Sequence, residues 1–230
     1  MRTFSARREI TLGLAVYAVY LVVRWLVLRG DGRGRSCRNA RRVVELEERL
    51  GLHVEPEVQR ALLRYPRLVH GLNLGYAVFN VTLTVGWLAY LHRRRDPAYH
   101  RLRRACLLAY VGAQPAFLLF PTAPPRVLEG FVDTLSEVSG VDIEHPLLVR
   151  FYNPIAALPS LHVAFAVLTG AAIAERAASP VVKAAACSYA PLVSLVVIGT
   201  GNHYLADALT GAALGATVRR ALGAENVTSE

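Results

Sequence analysis

Two short clusters hold the side chains best suited to chemistry: Pro159-Ser160-Leu161-His162, and Thr200-Gly201-Asn202-His203-Tyr204-Leu205-Ala206-Asp207. Asp207 follows His203 by four residues, one helical turn, so its carboxylate can accept a hydrogen bond from Nδ1 of the ring. That fixes the tautomer and leaves Nε2 free as a nucleophile. His162, from the other cluster, is then placed to give a proton to a leaving oxygen. Ser160 and the free N–H groups at the start of a helix suit an anion. A guanidinium beside them completes a site for a phosphate-type oxyanion. The candidates are Arg126 and Arg150, the latter close to Asn153 and ten residues before Ser160. Two histidines and a carboxylate can also hold iron or zinc. The serine and arginine neighbours suit an oxyanion better, so no metal or other cofactor is expected at these residues.

Positioning these clusters falls to a strongly apolar chain. Of 230 residues 53% are hydrophobic, and Lys plus Arg number 26 against 17 acidic residues, for a net charge of +9. That composition excludes a disordered, collagenous or small disulfide-rich protein. Six apolar runs approach the length that crosses a bilayer: 10–28, 69–91, 105–120, 160–178, 181–201 and 203–222. The N-terminal run continues through Arg24 without a small-residue cleavage site, so it reads as a retained span. Between His162 and His203 the chain passes along one helix and back along another, roughly 25 to 30 Å each way. Both histidines therefore return to the same membrane face. The third span ends there too, at Phe120, which brings Arg126 and the segment after it.

The connections divide into three kinds. Across 29–67, Val43, Leu46, Leu50, Val54, Val58 and Leu62 recur at helical spacing among charged residues, as in an interfacial amphipathic helix bent near Gly51 and Pro56. The segment 121–159 contains six prolines and cannot be one helix in lipid, so it must lie at the surface or line a cavity. Within it, Val127, Leu128, Phe131, Leu135 and Val138 predict a short amphipathic helix begun by Pro125 and serving as a lid. Arg93, Arg94, Arg95, Arg101, Arg103 and Arg104 read as a cytoplasmic anchoring loop, not a nucleic-acid site. Gly211 and Gly215 form a small-residue face whose first use is close packing inside the bundle, with homodimerisation as the alternative. Cys37, Cys106 and Cys187 make no disulfide framework or CxxC metal site.

At the two clusters the sequence resembles the type 2 phosphatidic acid phosphatases, a family that also includes vanadium haloperoxidases and lipid phosphotransferases. Pro159, Ser160 and His162 match the family's PSxH motif, and His203 and Asp207 match its HxxxD motif. The resemblance implies that His203 becomes transiently phosphorylated, that Asp207 orients it and that His162 is the general acid. The usual first motif is missing: Leu119 stands seven residues before Arg126 where a lysine is expected, and Pro125 precedes the arginine instead of following it. Val197 stands where an arginine usually lies six residues before the third-motif histidine. In these respects the chain is similar to the inositol phosphorylceramide synthase branch, with Arg126 as the replacement phosphate arginine.

Charge points the same way. A phosphomonoester carries nearly two negative charges at neutral pH and a diester one, so a pocket short of the family's cations suits the diester. The expectation is an all-α, polytopic membrane protein, a bundle of six transmembrane helices with interfacial helices. It forms a single membrane domain over 1–230: first span and interfacial segment in 1–68, helical core in 69–222 with a catalytic loop at 121–159, and a tail at 223–230. Its expected activity is metal-independent transfer of a phospho-headgroup from a phospholipid to a lipid or alcohol acceptor. Lipid phosphate hydrolysis is the alternative, and a non-catalytic lipid-binding or transport protein the rival from another class. Discounting the first connection as interfacial, arginine asymmetry sets the N-terminus inside a plasma membrane and the site on the extracytoplasmic face.

Overall fold

The computed structural model describes residues 4–142, 145 and 153–227. Among these residues the secondary structure is helical throughout, apart from one isolated bridge between Thr122 and Ala156. We number the helices α1 (Ala6–Leu28), α2 (Gly32–Arg49), α3 (Glu55–Leu63), α4 (Pro66–Leu74), α5 (Asn80–Arg93), α6 (Ala98–Leu119), α7 (Thr134–Glu137), α8 (Leu161–Ala174), α9 (Pro180–Gly199) and α10 (Leu205–Val227). A π-helical turn, Gly75–Phe79, joins α4 to α5 without a break, and a short 3-10 turn covers Pro125–Val127.

Helix α8 is the centre, packed against α5, α6, α9 and α10. Its inner surface is small: Ala164, Ala166, Gly170 and Ala172 are buried. A Cβ on Gly170 would stand 2.6 Å from the Ala186 carbonyl oxygen of α9. One on Gly215 would stand 2.8 Å from that of Ala164, so α9 and α10 approach α8 backbone to backbone. The Gly211 and Gly215 face is thus taken up inside the chain, in the first of the two ways expected for it. Thr84 and Thr169 share a buried 3.0 Å hydrogen bond that ties α5 to α8.

Each of the six apolar runs forms a helix, but their character differs. Only α1 and α9 are, among the described residues, both long and apolar enough to cross a membrane by composition. Almost none of their apolar stretch is covered by the rest of the chain. Ile10, Leu14, Val22 and Trp25 of α1 and Val181, Leu192 and Leu195 of α9 all face outward. An apolar helix left uncovered on most sides belongs in lipid. Helix α8 is apolar but only 14 residues long. Helix α6 opens on Arg101, Arg103 and Arg104, and the α4–α5 run contains Asn73, Asn80, Thr82 and Thr84. The polar groups that bind these helices to one another are what lower their hydropathy.

One expectation from periodicity is corrected, and another gains a second face. The first connection does break near Gly51, whose φ is +67°. Leu46, Leu50 and Val54 point outward, while helix α2 turns Ser36, Asn39, Ala40, Val43 and Glu47 inward. The helix faces a polar neighbour, the start of α10, so its inner stripe is small and polar. The lid helix over 127–138 does not form. Leu128 is extended and Gly130 has φ +93°, so the chain turns after one 3-10 turn and restarts at α7, where Asp133 caps Leu135 and Ser136.

At the end remote from both clusters, ion pairs join the helices: Arg103 to Glu9, Arg101 and Arg219 to Glu175, and Arg176 to Asp96. Arg176 grips Asp96 through two hydrogen bonds of 2.7 and 3.0 Å. That grip, together with the N–H of Ala98, holds the Asp96 carboxyl below the usual carboxylate range. The stabilisation is therefore complete above that ordinary range and is lost as pH falls through the depressed value. Asp96→Asn is expected to cost about 1 kcal/mol at neutral pH, because the pair is part-exposed. Thermal denaturation in detergent should show the gap between variant and parent closing in acid.

Candidate active site

Helix α9 ends at Gly199, and the chain reverses through Thr200 and Gly201. Gly201 has φ +72°, and a Cβ there would stand 2.7 Å from Gln59 Nε2, so the turn needs glycine. The N–H groups of Asn202 and His203 both return to the Val197 carbonyl, at 2.9 and 3.0 Å. This fixes His203 just before α10. His203 Nδ1 lies 3.2 Å from Asp207 Oδ2, and the same oxygen accepts the Tyr204 N–H at 3.0 Å. Asp207 is fully buried and His203 is 4% exposed. A carboxylate so placed selects the tautomer with the proton on Nδ1 and leaves Nε2 able to attack.

The other cluster is tied directly to this one. Ser160 donates its backbone N–H to the Asp207 carbonyl at 3.0 Å, and its hydroxyl caps α8 by accepting from the Val163 N–H. Gly211 permits the approach: a Cβ there would stand 2.2 Å from the Ser160 carbonyl oxygen. His162, two residues on, brings its ring to 5.8 Å, centroid to centroid, from that of His203. Tyr76 from the π-helical turn stacks on His162 at 4.5 Å, and Asn80 donates to the His162 carbonyl at 3.0 Å. Gly211→Ala is expected to lose about 1 to 3 kcal/mol of stability and to lower kcat by moving His162 away from His203. Gly215→Ala, with more room, should do less on both counts; melting curves and kinetics on the two variants check this.

Arg126 enters from the proline-rich segment. Its N–H binds the Gly201 carbonyl at 2.9 Å and its Nη1 donates to Asn202 Oδ1, while its Nε is buried without a partner. Thr122 exchanges backbone hydrogen bonds with Ile155 and Ala157, closing the segment on itself. The result is a cavity of about 220 Å³ lined by Arg126, Asn153, His162, Asn202, His203 and aromatic residues from α1, α6 and the π turn. Tyr76 and His162 also line a second, apolar cavity of about 190 Å³, together with Leu72, Phe79, Tyr189, Leu192 and Val193 among others.

Of the residues expected at the site, the structure brings His203, His162, Arg126 and Asn153 to the wall of the first cavity, with Asp207 buried behind His203. Ser160 sits behind it, engaged as the helix cap. Arg150 lies outside the described residues. Motif reading passed over Tyr76 and Tyr20, which line the cavity, because no spacing announces a π turn or the face of a distant helix. It also passed over Glu47 and Glu55, which accept the Ala206 and Leu205 N–H groups at the start of α10. The sign available for these was a glutamate at the helical repeat of Ala40 and Val43. Burial, with Glu55 beside it, pushes the Glu47 carboxyl up to about 8.

A buried imidazole braced by a carboxylate, a second imidazole across a small cavity and one guanidinium form a set for attack on phosphorus, with charge stabilised by the arginine. The chain matches no curated protein and no solved structure. The sequence pattern of one family does match, across residues 41–219, which takes in both clusters, Arg126 and every helix from α3 to α9. With that match covering most of its length and both its histidine motifs, this apolar helical chain belongs to the PAP2 superfamily, a family of phosphatase-type enzymes.

Proposed function

We propose that this chain is a six-span enzyme of the plasma membrane that transfers a phospho-headgroup from a phospholipid diester to a lipid or alcohol acceptor. The observation that carries the reading is the charge of the cavity: among its described lining residues Arg126 is the one cation, set against two neutral-capable imidazoles. One guanidinium balances a diester's single charge and leaves a monoester's second charge uncompensated. The apolar cavity beside His162 gives a lipid chain somewhere to lie. Support for six spans comes from helices that alternate in direction, with α1 and α9 uncovered and Val81, Val85, Val111 and Leu209 adding outward apolar surface. Arg93, Arg94, Arg101, Arg176 and Arg219 gather at the end remote from the histidines, which supports an extracytoplasmic site.

In this mechanism His203 Nε2 attacks phosphorus and the P–O bond to the diacylglycerol breaks. His162 takes up a proton as the substrate binds and gives it to the departing alkoxide, and the Arg126 guanidinium holds the non-bridging oxygens. The headgroup phosphate is then a diester-like phosphohistidine on His203. An acceptor hydroxyl next loses its proton to His162 and attacks phosphorus, the N–P bond breaks, and both imidazoles return to their starting states. Asp207 stabilises the positive charge that builds on His203 in each attack.

A second reading is hydrolysis, favoured by the small first cavity: about 220 Å³ accommodates a phosphate and a water more readily than two headgroups. The readings differ in the nucleophile that meets the intermediate. Purified protein in mixed micelles, given a head-labelled phospholipid with and without an acceptor lipid, separates them. Transfer predicts labelled product lipid that rises with acceptor, and hydrolysis predicts water-soluble phosphate that is indifferent to it.

A further inference from the structure

Behind the catalytic helix lies a cluster that the phosphoryl chemistry does not use. Glu47 ends α2, His53 sits in the bend that follows, and Glu55 begins α3. Glu47 and Glu55 are buried, at 2% and 0% exposure, and their side chains meet the start of α10. One oxygen of each is satisfied there: Glu47 Oε1 by the Ala206 N–H at 2.7 Å, and Glu55 Oε1 by the Leu205 N–H. The other oxygens turn the opposite way. One ligand atom from each of Glu47, His53 and Glu55 lies within 4.8 Å of the other two, and Glu47 Oε2, Glu55 Oε2 and His53 Nδ1 are each buried with no hydrogen-bond partner. His53 Nδ1 is 3.1 Å from Glu55 Oε2 and 3.7 Å from Glu47 Oε2, close enough to bond yet not aligned to do so.

Two buried carboxyl groups without a strong counter-charge are costly to ionise together. Among the described residues the only ion-pair partner of either is His53, and the nearby Asp207 adds negative charge. The three converging atoms have the identity and the spacing of a metal triad. With metal–ligand bonds near 2.0 to 2.1 Å, the ligands of a tetrahedral site stand about 3.3 Å apart, and the two edges that meet at His53 Nδ1, 3.1 and 3.7 Å, fall on either side of that value. One nitrogen and two carboxylate oxygens suit zinc. His53, at 18% side-chain exposure, leaves a path for the ion and for a water in the fourth position.

We infer that Glu47, His53 and Glu55 form a zinc-class cation site that ties the α2–α3 bend to the first turn of α10. The ion is structural. It touches no substrate, and its effect reaches His203 only through the helix that carries Asp207. The inference is independent of whether the enzyme transfers or hydrolyses.

The full chain in detergent, stripped by chelator, loaded with zinc and desalted, tests this. The parent and His203→Ala should both retain about one zinc per chain, and His53→Ala and Glu55→Gln should retain none. Gln at position 55 keeps an acceptor for the Leu205 N–H, so its loss of zinc does not require misfolding. Zinc should raise the Tm of the parent by several degrees and leave that of His53→Ala unchanged. Cobalt in the parent should give the visible absorption of a tetrahedral ion. A parent that keeps no more zinc than His53→Ala would overturn the site and leave a carboxylate pair that holds a proton. Zinc that departs with His203→Ala would also overturn it, by placing the ion in the catalytic cavity.

Discussion

His203→Ala should abolish turnover, by about a thousandfold or more, and leave no labelled phosphoenzyme when the reaction is quenched. Removal of the ring deletes the atom that bonds to phosphorus, and no neighbouring group takes its place: His162 lies across the cavity with Tyr76 stacked on it. Asp207→Asn should behave differently. The amide oxygen can still accept the Tyr204 N–H, and the amide nitrogen falls where Asp207 Oδ1 now has no partner, so the variant is expected to fold. What it loses is the negative charge against His203 Nδ1. A fall in kcat of about a hundredfold, close to 2.7 kcal/mol, with KM little changed is the expected signature. A His203→Ala variant that turns over normally would remove the nucleophile from the scheme.

Arg126→Ala should lower kcat/KM by about a hundredfold or more, and Arg126→Lys should recover little of it. Arg126 is 8% exposed, and its guanidinium uses one nitrogen on Asn202 while it faces the cavity, two tasks that need its planar fork. An ammonium can meet Asn202 or the phosphate, not both in one geometry. Asn202→Ala frees the fork without removing its charge and should cost far less. Steady-state kinetics of the three variants on one lipid substrate give the comparison, and equal losses in Arg126→Lys and Asn202→Ala would assign Arg126 a structural part only.

Much of this could be read along the chain. The i, i+4 relation of His203 and Asp207 is a property of any helix, and the structure places their atoms 3.2 Å apart. The prolines of 121–159 forbade a continuous helix, and that segment indeed supplies Arg126 and Asn153 to a cavity wall. The start of α8 carries its own cap in Ser160, and α9 opens on Pro180 at its first position. The inner face of α2 was not legible, because its neighbour is polar: α2 turns Glu47 inward where α10 offers it an N–H group. The lid over 127–138 failed because Gly130 takes a positive φ that no pattern of apolar residues reveals.

The residue types at the site, the one-turn pairing of His203 with Asp207 and the apolar helices that carry them are legible along the chain, since all three follow from local geometry and hydropathy. It took the packed molecule to show that Tyr76 stacks on His162 and that Arg126 lies on Asn202. The same packing sets Gly211 against the Ser160 backbone and two glutamates, about 150 residues earlier, on the first turn of α10. Contacts of that kind depend on which faces of separate helices meet, and on a π turn that rotates one of them. Those are properties of packing among elements, which no single stretch of chain contains.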